Sequence, residues 1–348
     1  VSGVFGKWHL GVALKYNAMH RGFDEFYGFM GRGAHDYFEL TSPDHPIYRG
    51  LEPIEDKGYL TDRITEEAVS FIGRHKARPF FLYVAYNAVH WPAQAPEDEI
   101  VKRTGDRLRD TLMAMLKHLD DGVGKIVGAL KKEQLFDNTL LFYLTDNGGS
   151  RKMHANNAPL RGFKQDDYEG GIRVPFIVSW PAQLRGGTRC DVPLWSVDIL
   201  PTALAAAGVS FPKEKPLDGK NLLPALKGDV AKLHDHLFWS SGGRDGKWAV
   251  RSGQWKLVGV RDRLELFDLE EDAAEAKDLA PGNPEKVTVL KRLHDEWLDR
   301  MAPPLGGQPK RWSSDVEKRP KGKRDRQADR RRRRDRSPPR DVEKPSGG

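Results

Sequence analysis

Thr139-Leu140-Leu141-Phe142-Tyr143-Leu144-Thr145-Asp146-Asn147-Gly148-Gly149 is a run of bulky apolar residues that ends in an acid, an amide and two glycines. Its consecutive apolar and aromatic residues predict a strand buried on both faces of a sheet. In an open α/β sheet, the carboxyl ends of the strands form the crevice where ligands bind. Asp146 and Asn147 would offer hard oxygen donors there, which suit Ca²⁺ or Mg²⁺ better than zinc. Because Asn-Gly is also a strong turn former, the motif taken alone favours a plain turn over a metal site.

Basic side chains follow two further predicted strands. A short apolar run at the start of the chain leads into Gly6-Lys7-Trp8-His9, and the apolar run of residues 79–86 is followed by His90. A single Lys or His is usually a surface or structural group, and His90 could simply cap a turn before Pro92. The repetition of polar groups at three strand ends favours a common site instead.

The order of helices and strands indicates the fold class. Residues 59–75 predict a helix with Thr61 as its N-cap, and residues 103–132 carry the clearest helical periodicity of the chain. Because strands are predicted on both sides of the second helix, we expect an α/β fold whose mostly parallel sheet is sandwiched by helices. Residues 12–58 predict a long loop region, in which His35-Asp36-Tyr37 is a possible substrate wall, although a structural loop is the more common case.

The pattern changes in the second half of the chain. We predict a third strand at residues 176–180, a short helix at 196–207 ended by Gly208, and a linker at 219–230. Residues 248–258 alternate about a glycine-containing turn, which predicts a hairpin, and residues 264–269 add a strand. A helix capped by Asn283 should begin at Pro284 and end at Met301. These elements predict a small C-terminal antiparallel sheet with one covering helix.

The charge of the chain is concentrated at one end. The 348 residues carry a net charge of +7, but residues 310–348 alone hold 16 Lys and Arg against 7 Asp and Glu. The rest of the chain is therefore near neutral, and nucleic-acid binding is not expected except weakly through this tail. The tail offers little apolar surface to bury, so residues 303–348 are predicted to be disordered.

Two further features bound the class of protein. Cys190 is the only cysteine, which excludes an internal disulfide framework. No run of about 18 apolar residues occurs, so no transmembrane segment is expected. The sequence begins with Val within an apolar, glycine-containing stretch, and we expect it to be a fragment that starts inside a domain.

Four ordered blocks carry a family resemblance. They are Gly6-Lys7-Trp8-His9-Leu10-Gly11; Asp146-Asn147-Gly148-Gly149; Leu160-Arg161-Gly162-Phe163-Lys164 with Tyr168-Glu169-Gly170-Gly171-Ile172-Arg173-Val174-Pro175; and Glu265-Leu266-Phe267-Asp268-Leu269-Glu270. Together they resemble the sulfatase family of the alkaline-phosphatase superfamily. The resemblance runs from Gly6 to about Met301 and implies an alkaline-phosphatase-like fold.

The resemblance also implies a reaction and a set of site residues. The protein would be a sulfuric ester hydrolase that uses one Ca²⁺ ion and cleaves a sulfate monoester of a sugar or an aryl alcohol. Cleavage builds negative charge on the sulfate oxygens and on the departing alcohol, and preorganised cations and a metal stabilise such charge. The implied ion ligands are Asp146 and Asn147, the implied sulfate-binding groups are Lys7, His90 and Lys164, and the implied partner of the nucleophile is His9.

The sequence departs from the family in one important respect. Sulfatases use a formylglycine made from the Cys or Ser of a Cys/Ser-x-Pro-x-Arg motif, and this sequence contains no such motif. The early Asp-Asp metal pair of the family is also absent, and two ligands cannot supply the six to eight oxygens that calcium prefers. We therefore expect a missing N-terminal segment that carries the nucleophile and the remaining ligands, and an inactive chain without it.

The resemblance predicts three parts and leaves two alternatives open. Residues 1–230 would be an incomplete catalytic domain, residues 231–302 an antiparallel subdomain, and residues 303–348 a basic tail. Periplasmic or extracellular localisation is expected from the family. A phosphomonoester or phosphonate hydrolase of the same superfamily would need similar groups, and an inactive protein that binds acidic polymers is the alternative from another class. The expected ligand is a sulfated small molecule or glycan.

Overall fold

The computed structural model describes residues 1–31, 33–212, 214–241 and 246–302. The prediction of a disordered tail at 303–348 lies outside these residues. Val1–Met301 form one compact unit, and the boundary predicted near residue 230 stays a prediction.

The first half of the chain forms a five-stranded mixed sheet in the order β4-β3-β2-β1-β5. The central strand β1 is parallel to β2 and β5, whereas β3 and β4 are added in antiparallel orientation. The strands are β1 (Ser2–Lys7), β2 (Glu25–Phe29), β3 (Ile47–Arg49), β4 (Glu52–Ile54) and β5 (Phe81–Ala85).

Strands β2, β3 and β4 show that the loop prediction for residues 12–58 was wrong in part. Phe26, Tyr27 and Phe29 of β2 are buried, and the short strand with an internal glycine gave no clear periodicity. His35 and Tyr37, the suggested substrate wall, are buried as well. The His35 ring nitrogens bond backbone carbonyls, and the Tyr37 hydroxyl donates to the carbonyls of Asn87 and His90. This cluster is therefore structural.

Two glycines allow the three parallel strands to approach closely just before the end of β1. Gly6 has φ of 113°, and a Cβ there would lie 2.1 Å from the Ala85 carbonyl oxygen. A Cβ on Gly28, which has φ of 148°, would lie 1.9 Å from the Gly6 carbonyl oxygen. Glycine is needed at both positions because other residues fit neither the space nor the backbone conformation. The position of Lys7, the next residue after Gly6, depends on this contact.

Helices α1 (Leu60–His75) and α2 (Arg107–Lys132) cover this sheet. Helix α1 contacts β1, β2 and β5, and α2 packs on α1. The predicted periodicity is confirmed, but the ends differ from the prediction. Thr61 is buried inside the first turn of α1 rather than capping it, while the Asp106 carboxylate caps α2 by accepting from the amides of Leu108 and Arg109.

Strand β6 (Leu141–Leu144) comes from the stretch that was predicted to be buried on both faces, and this prediction was wrong. The strand is half-buried and pairs antiparallel with β7 (Phe176–Ser179) in a separate two-stranded sheet. One neighbouring strand covers one edge only, and the other edge borders a large cavity. The short helix α3 (Glu169–Ile172) precedes β7.

Helix α4 (Ile199–Ala206) confirms the predicted helix, and Gly208 follows it with φ of 66°. The linker predicted at residues 219–230 was wrong, because helix α5 (Leu223–Lys227) lies within it. Leu222 is buried there, and its amide donates to the Thr202 hydroxyl at 2.8 Å. The segment is thus packed against α4.

The predicted C-terminal antiparallel sheet with one helix is confirmed. It contains the predicted hairpin and third strand, and also a fourth strand that the sequence did not indicate. Its elements are β8 (His236–Ser241), β9 (Lys247–Ser252), β10 (Trp255–Val260), β11 (Arg263–Asp268) and helix α6 (Pro284–Arg300). Asn283 precedes α6 without a side-chain capping bond. Across the described ranges, no helix combines the length and the apolarity that a membrane crossing requires.

The close contact at Gly6 leads to a testable prediction about stability. Gly6→Ala should lower the free energy of unfolding by more than about 1 kcal/mol, since the substitution meets the β5 backbone and an unfavourable φ. The measurement is urea unfolding of the purified chain.

Gly73→Ala provides the control. Gly73 lies in α1 with no heavy atom within 4 Å of an added Cβ, so this change should raise the free energy of unfolding by up to about 1 kcal/mol. Equal effects of the two substitutions would contradict the proposed role of the strand contact.

Candidate active site

The six residues singled out from the sequence line one cavity, whose volume is about 2920 Å³. We call the edge of this cavity where β1, β5 and β6 end the carboxyl rim. Each of the six follows or ends a strand, or lies in the loop between β6 and α3. The structure brings together Lys7, His9, His90, Asp146, Asn147 and Lys164, while their roles stay predictions.

Lys7 is the last residue of β1 and lies in an environment of mixed charge. Partial burial lowers the pKa of its ammonium group, the nearby Asp146 carboxylate raises it, and Lys164 lowers it. Two lysines and one carboxylate are therefore close enough to act on one another. Such a group of cations is suited to receive an anion with several oxygens.

His9 lies two residues beyond β1 with a left-handed backbone, φ 55°. Burial is the main cause that lowers the pKa of its imidazole, and repulsion from Lys7, His90 and Lys164 lowers it further, while Asp146 opposes these effects. The neutral ring, which can both donate and accept a proton, is favoured at neutral pH. Gly33 packs against the ring, since a Cβ there would lie 2.8 Å from its Cε1. Sequence reasoning did not identify Gly33.

His90 lies in the segment that follows β5, and its Nδ1 is 2.8 Å from the carbonyl oxygen of Trp91. The Trp91 ring is 57 % exposed and also lines the cavity. Trp8 also lines the cavity but has a different role. Its indole is buried and donates to the Tyr16 carbonyl at 2.6 Å. Trp8 therefore supports the loop that carries His9, and Trp91 provides an exposed aromatic face.

Asp146 and Asn147 have the donor chemistry of a calcium site but not the number of ligands. Among the residues that the structure describes, none donates a hydrogen bond to the Asp146 carboxylate, which leaves its oxygens available to a cation. Asn147 uses its amide nitrogen to donate to the Gly148 carbonyl at 2.9 Å. No group of three or more His, Cys, Asp or Glu in the described ranges could hold a metal. These two residues alone thus fit the type of site and cannot complete it.

Asn157 joins the loop after β6 to the loop that carries Lys164. Its side chain accepts from the Gly149 amide at 3.0 Å and donates to the carbonyls of Gly149 and Gly162. The Lys164 amide donates to the same Gly149 carbonyl at 3.0 Å. These bonds fix Lys164 relative to Asp146. Nothing in the sequence indicated Asn157, since its partners are distributed over two loops.

The C-terminal sheet holds the segment that follows Lys164 through a buried ion triad. The ammonium group of Lys256 in β10 is fully buried and lies 2.8 Å from Glu169 and 2.9 Å from Glu275. The Glu275 carboxylate also accepts from the Glu169 amide at 2.6 Å. Burial raises the pKa of Glu275, while Lys256 and the Glu169 amide lower it. Helix α3 is therefore held by Lys256 of β10 and by Glu275 of the loop that follows β11.

Arg161 and Lys247 add contacts between the same two parts. Arg161 donates to the Glu275 carbonyl at 3.1 Å and pairs with Glu265 at 3.3 Å. Lys247 of β9 pairs with Asp166 at 2.9 Å. Both ends of the segment that contains Lys164 are thus anchored on residues of the C-terminal sheet.

Two family models match the sequence of this chain. The model "Sulfatase" matches residues 1–209, and the model "N-sulphoglucosamine sulphohydrolase, C-terminal" matches residues 163–302. The two matches overlap over residues 163–209, which contain Lys164 and α4.

Similar proteins carry the same family name. An uncharacterised sulfatase of Escherichia coli, YdeN, is 30 % identical over 84 % of this chain and 59 % of its own length. The N-acetylgalactosamine-6-sulfatase of the dog, Canis lupus familiaris, is 34 % identical over 74 % of this chain and 51 % of its own length. The chain thus spans little more than half the length of these relatives.

A solved structure confirms the predicted fold class. Ps i-CgsB, in complex with k-i-k-neocarrahexaose, matches with a TM-score of 0.81 and 33 % identity over 88 % of this chain and 73 % of that chain. The uncomplexed Ps i-CgsB structure matches with a TM-score of 0.79.

The pKa of His9 provides a test of the site electrostatics. Lys7→Met should raise this pKa, because the substitution removes a neighbouring positive charge that disfavours the imidazolium ion. The measurement is an NMR titration of the histidine Cε1 protons in the presence of EDTA. Lys15→Met, at an exposed lysine beside Tyr16, should leave the pKa of His9 unchanged. An equal pKa shift in both variants would contradict the proximity of Lys7 and His9.

The buried ion triad predicts a pH-dependent loss of stability. Lys256→Met should cost about 3 to 5 kcal/mol of unfolding free energy, since it leaves the buried Glu275 carboxylate without its cation and leaves Glu169 only the more distant Arg173, at 3.7 Å. Removing Lys256 raises the pKa of Glu275 further above its unfolded value, so the loss should grow as pH rises and shrink as the carboxyl group takes up a proton. Urea unfolding across a pH series measures this.

Two variants control that experiment. Lys256→Met with Glu275→Gln should recover part of the lost stability, because one buried charge is removed. Lys291→Met, at an exposed lysine paired with Asp295, should change stability by less than about 1 kcal/mol. A Lys256→Met effect as small as that of Lys291→Met would show that the triad does not hold the two parts together.

Proposed function

Because the chain belongs to the sulfatase family, we propose that the whole protein hydrolyses the sulfate monoester of a sulfated sugar. The observation that carries this proposal is the meeting of Lys7, His9, His90, Asp146 and Lys164 at the carboxyl rim. A cluster of cations around one carboxylate suits a tetrahedral oxyanion bound beside a cation. Relatives named for a galactosamine sulfate and a structure bound to a neocarrahexaose support a sugar as the alcohol.

The basic residues would bind and polarise the sulfate group. Lys7 and Lys164 act as point charges toward its oxygens, and His90 donates a hydrogen bond to it. Negative charge increases on these oxygens and on the bridging oxygen as the ester bond breaks. Groups already fixed by β1 and by the Asn157 contacts stabilise that charge without having to reorganise.

His9 would act on the proton of the nucleophile. Its lowered pKa keeps the imidazole neutral at physiological pH, so the ring can accept a hydrogen bond and hold a proton. Gly33 and the left-handed backbone at His9 fix the orientation of the ring. Trp91 offers an aromatic face beside His90, on which the sugar ring of the substrate can stack.

We further propose that two components come from polypeptide outside the printed sequence. One is the nucleophile, a formylglycine, because the sequence has no Cys/Ser-x-Pro-x-Arg motif. The other is the remaining ligand set of one Ca²⁺ ion, of which Asp146 and Asn147 supply two. The ion would contribute positive charge toward the sulfate oxygens. On this proposal the 348-residue chain alone does not hydrolyse a sulfate ester. The complete protein is exported.

Activity measurements test this proposal. The protein extended by the polypeptide that its reading frame encodes upstream of Val1 should hydrolyse sulfated galactosamine or carrageenan oligosaccharides, measured as released sulfate. Lys164→Gln in that protein should lower kcat/KM by about 100-fold or more, because a preorganised cation at the developing charge is lost.

Lys125→Gln is the matched control, since Lys125 lies exposed on α2 away from the cavity. It should leave kcat/KM unchanged. Turnover by the 348-residue chain itself would contradict the missing-segment proposal, and a higher kcat/KM for phosphate monoesters than for sulfate esters would favour the phosphatase alternative.

A further inference from the structure

Gln165, the residue after Lys164, has a backbone conformation that glutamine rarely adopts. Its φ is 76°, in the left-handed region, which residues other than glycine and asparagine seldom enter. The residue is exposed and borders the cavity together with Lys164. A residue held in such a conformation costs stability, and residues of this kind cluster at active sites and ligand-binding segments.

A tight turn imposes this conformation on Gln165. The amide of Asp166 donates to the Phe163 carbonyl at 2.8 Å, which closes a four-residue turn with Lys164 and Gln165 at its centre. The Asp166 carboxylate accepts in return from the Phe163 amide at 3.1 Å. Where the third residue of a turn has a positive φ, glycine or asparagine is strongly preferred. The turn by itself therefore favours glycine at position 165.

The C-terminal sheet holds the same turn through its backbone. The Lys247 ammonium group of β9 donates to the Gln165 carbonyl at 3.1 Å and to the Asp166 carboxylate at 2.9 Å. A glycine at position 165 would accept the same bond. Within the residues that the structure describes, no group forms a hydrogen bond with the side-chain amide of Gln165. The fold therefore does not account for a glutamine side chain at this position.

Gln134, another glutamine with a positive φ, has a structural reason for it. Its φ is 60°, and it follows α2. Its amide donates to the Lys131 carbonyl at 3.1 Å, and the Leu135 amide donates to the Leu130 carbonyl at 2.8 Å. This pair of bonds is the usual way in which a left-handed residue ends a helix. Gln134 lies in the connection that leads into β6, whereas the carboxyl rim lies at the other end of that strand.

The side-chain amide of Gln165 differs in chemistry from the charged groups of the rim. Cations suit the oxygens of a sulfate group, whereas a primary amide donates through its nitrogen and accepts through its oxygen. A hydroxyl group also both donates and accepts, so the two are complementary. The amide nitrogen of Asn147 already donates to the Gly148 carbonyl. A sugar that carries a sulfate ester also carries hydroxyl groups, while a simple aryl sulfate carries none.

We propose that Gln165 is a specificity-determining residue whose side-chain amide binds a hydroxyl group of the sugar ring that carries the sulfate ester. This role rests on the proposed function, because Lys164 must bind the sulfate for the next residue to contact the same ring. Lys247 is a positioning residue, since it holds the Gln165 carbonyl from the C-terminal sheet. The turn thus presents a sulfate-binding cation and a hydroxyl-binding amide in succession.

Steady-state kinetics on the protein extended upstream of Val1 test this role. The kcat/KM is measured for a carrageenan oligosaccharide and for 4-nitrophenyl sulfate, whose ring carries no hydroxyl group. Gln165→Gly and Gln165→Leu should each lower the ratio of the first value to the second by about tenfold or more, because both remove the amide. Displacement of Lys164 would lower both values alike and leave their ratio unchanged.

Urea unfolding of the 348-residue chain separates this role from a structural one. Gln165→Gly should raise the unfolding midpoint, because glycine adopts this φ without strain, whereas Gln165→Leu should not raise it. Gln134→Gly is the matched control. It should raise the midpoint in the same way and leave the kcat/KM ratio unchanged. A lower midpoint for Gln165→Gly would show that the side chain serves the fold and would overturn the proposal.

The outcomes distinguish this role from the proposed function. Release of sulfate from the oligosaccharide with an unchanged ratio in both Gln165 variants would overturn the role and leave the proposed function intact. No release from the oligosaccharide would contradict the proposed function, and calorimetry on the 348-residue chain then decides the role. Gln165→Gly should weaken binding of the oligosaccharide by about tenfold or more relative to that of inorganic sulfate. An unchanged ratio of the two dissociation constants, or no binding of the oligosaccharide, would overturn it.

Discussion

The candidate site depends on the fact that three strands, β1, β5 and β6, end at one rim. Each strand alone places a basic or acidic residue near its end, and only the common direction of the strands brings these residues together. The result is a concentration of like charge around Lys7, His9, His90 and Lys164 that Asp146 balances only in part. Repulsion of this kind costs stability in the free protein and is relieved when an anion binds. The repulsion from Lys7, His90 and Lys164, which adds to burial in lowering the pKa of His9, thus favours an anionic ligand.

The C-terminal sheet acts on this rim from a distance. Lys256 lies in β10, yet it holds Glu169 directly and, through helix α3, the segment that begins at Lys164. A buried ion triad is a costly way to join two parts, since each charge loses its hydration. It is also a selective one, because Glu169 and Glu275 must both lie within hydrogen-bond distance of the Lys256 ammonium group. The position of Lys164 is therefore a property of the whole unit and not of its loop alone.

Sequence reasoning succeeded where the signal was local. The runs before Lys7, His90 and Asp146 were recognisable as strands because they are short and rich in apolar residues, and the hairpin of β9 and β10 because it alternates about Gly253. Strand β2 and strand β8 were missed, since both are short and their sequences do not alternate between apolar and polar residues. Asn157, Gly33 and Lys256 could not be found because each acts through contacts across loops or between sheets. Strand β6 shows the opposite error, because an apolar sequence indicates that a strand is suited to burial but not that both its neighbours are present.

That error and the incomplete metal site occur on the same strand. Leu141–Leu144 carry a sequence suited to the middle of a sheet, but β6 has one partner strand and borders a cavity on its other edge. At the end of the same strand, Asp146 and Asn147 offer two of the oxygens that a calcium ion needs, and the described residues supply no third acidic or imidazole ligand nearby. The unpaired edge of β6 and the two-ligand site at its end therefore lie on one strand, whose sequence is suited to more neighbours than the described residues supply.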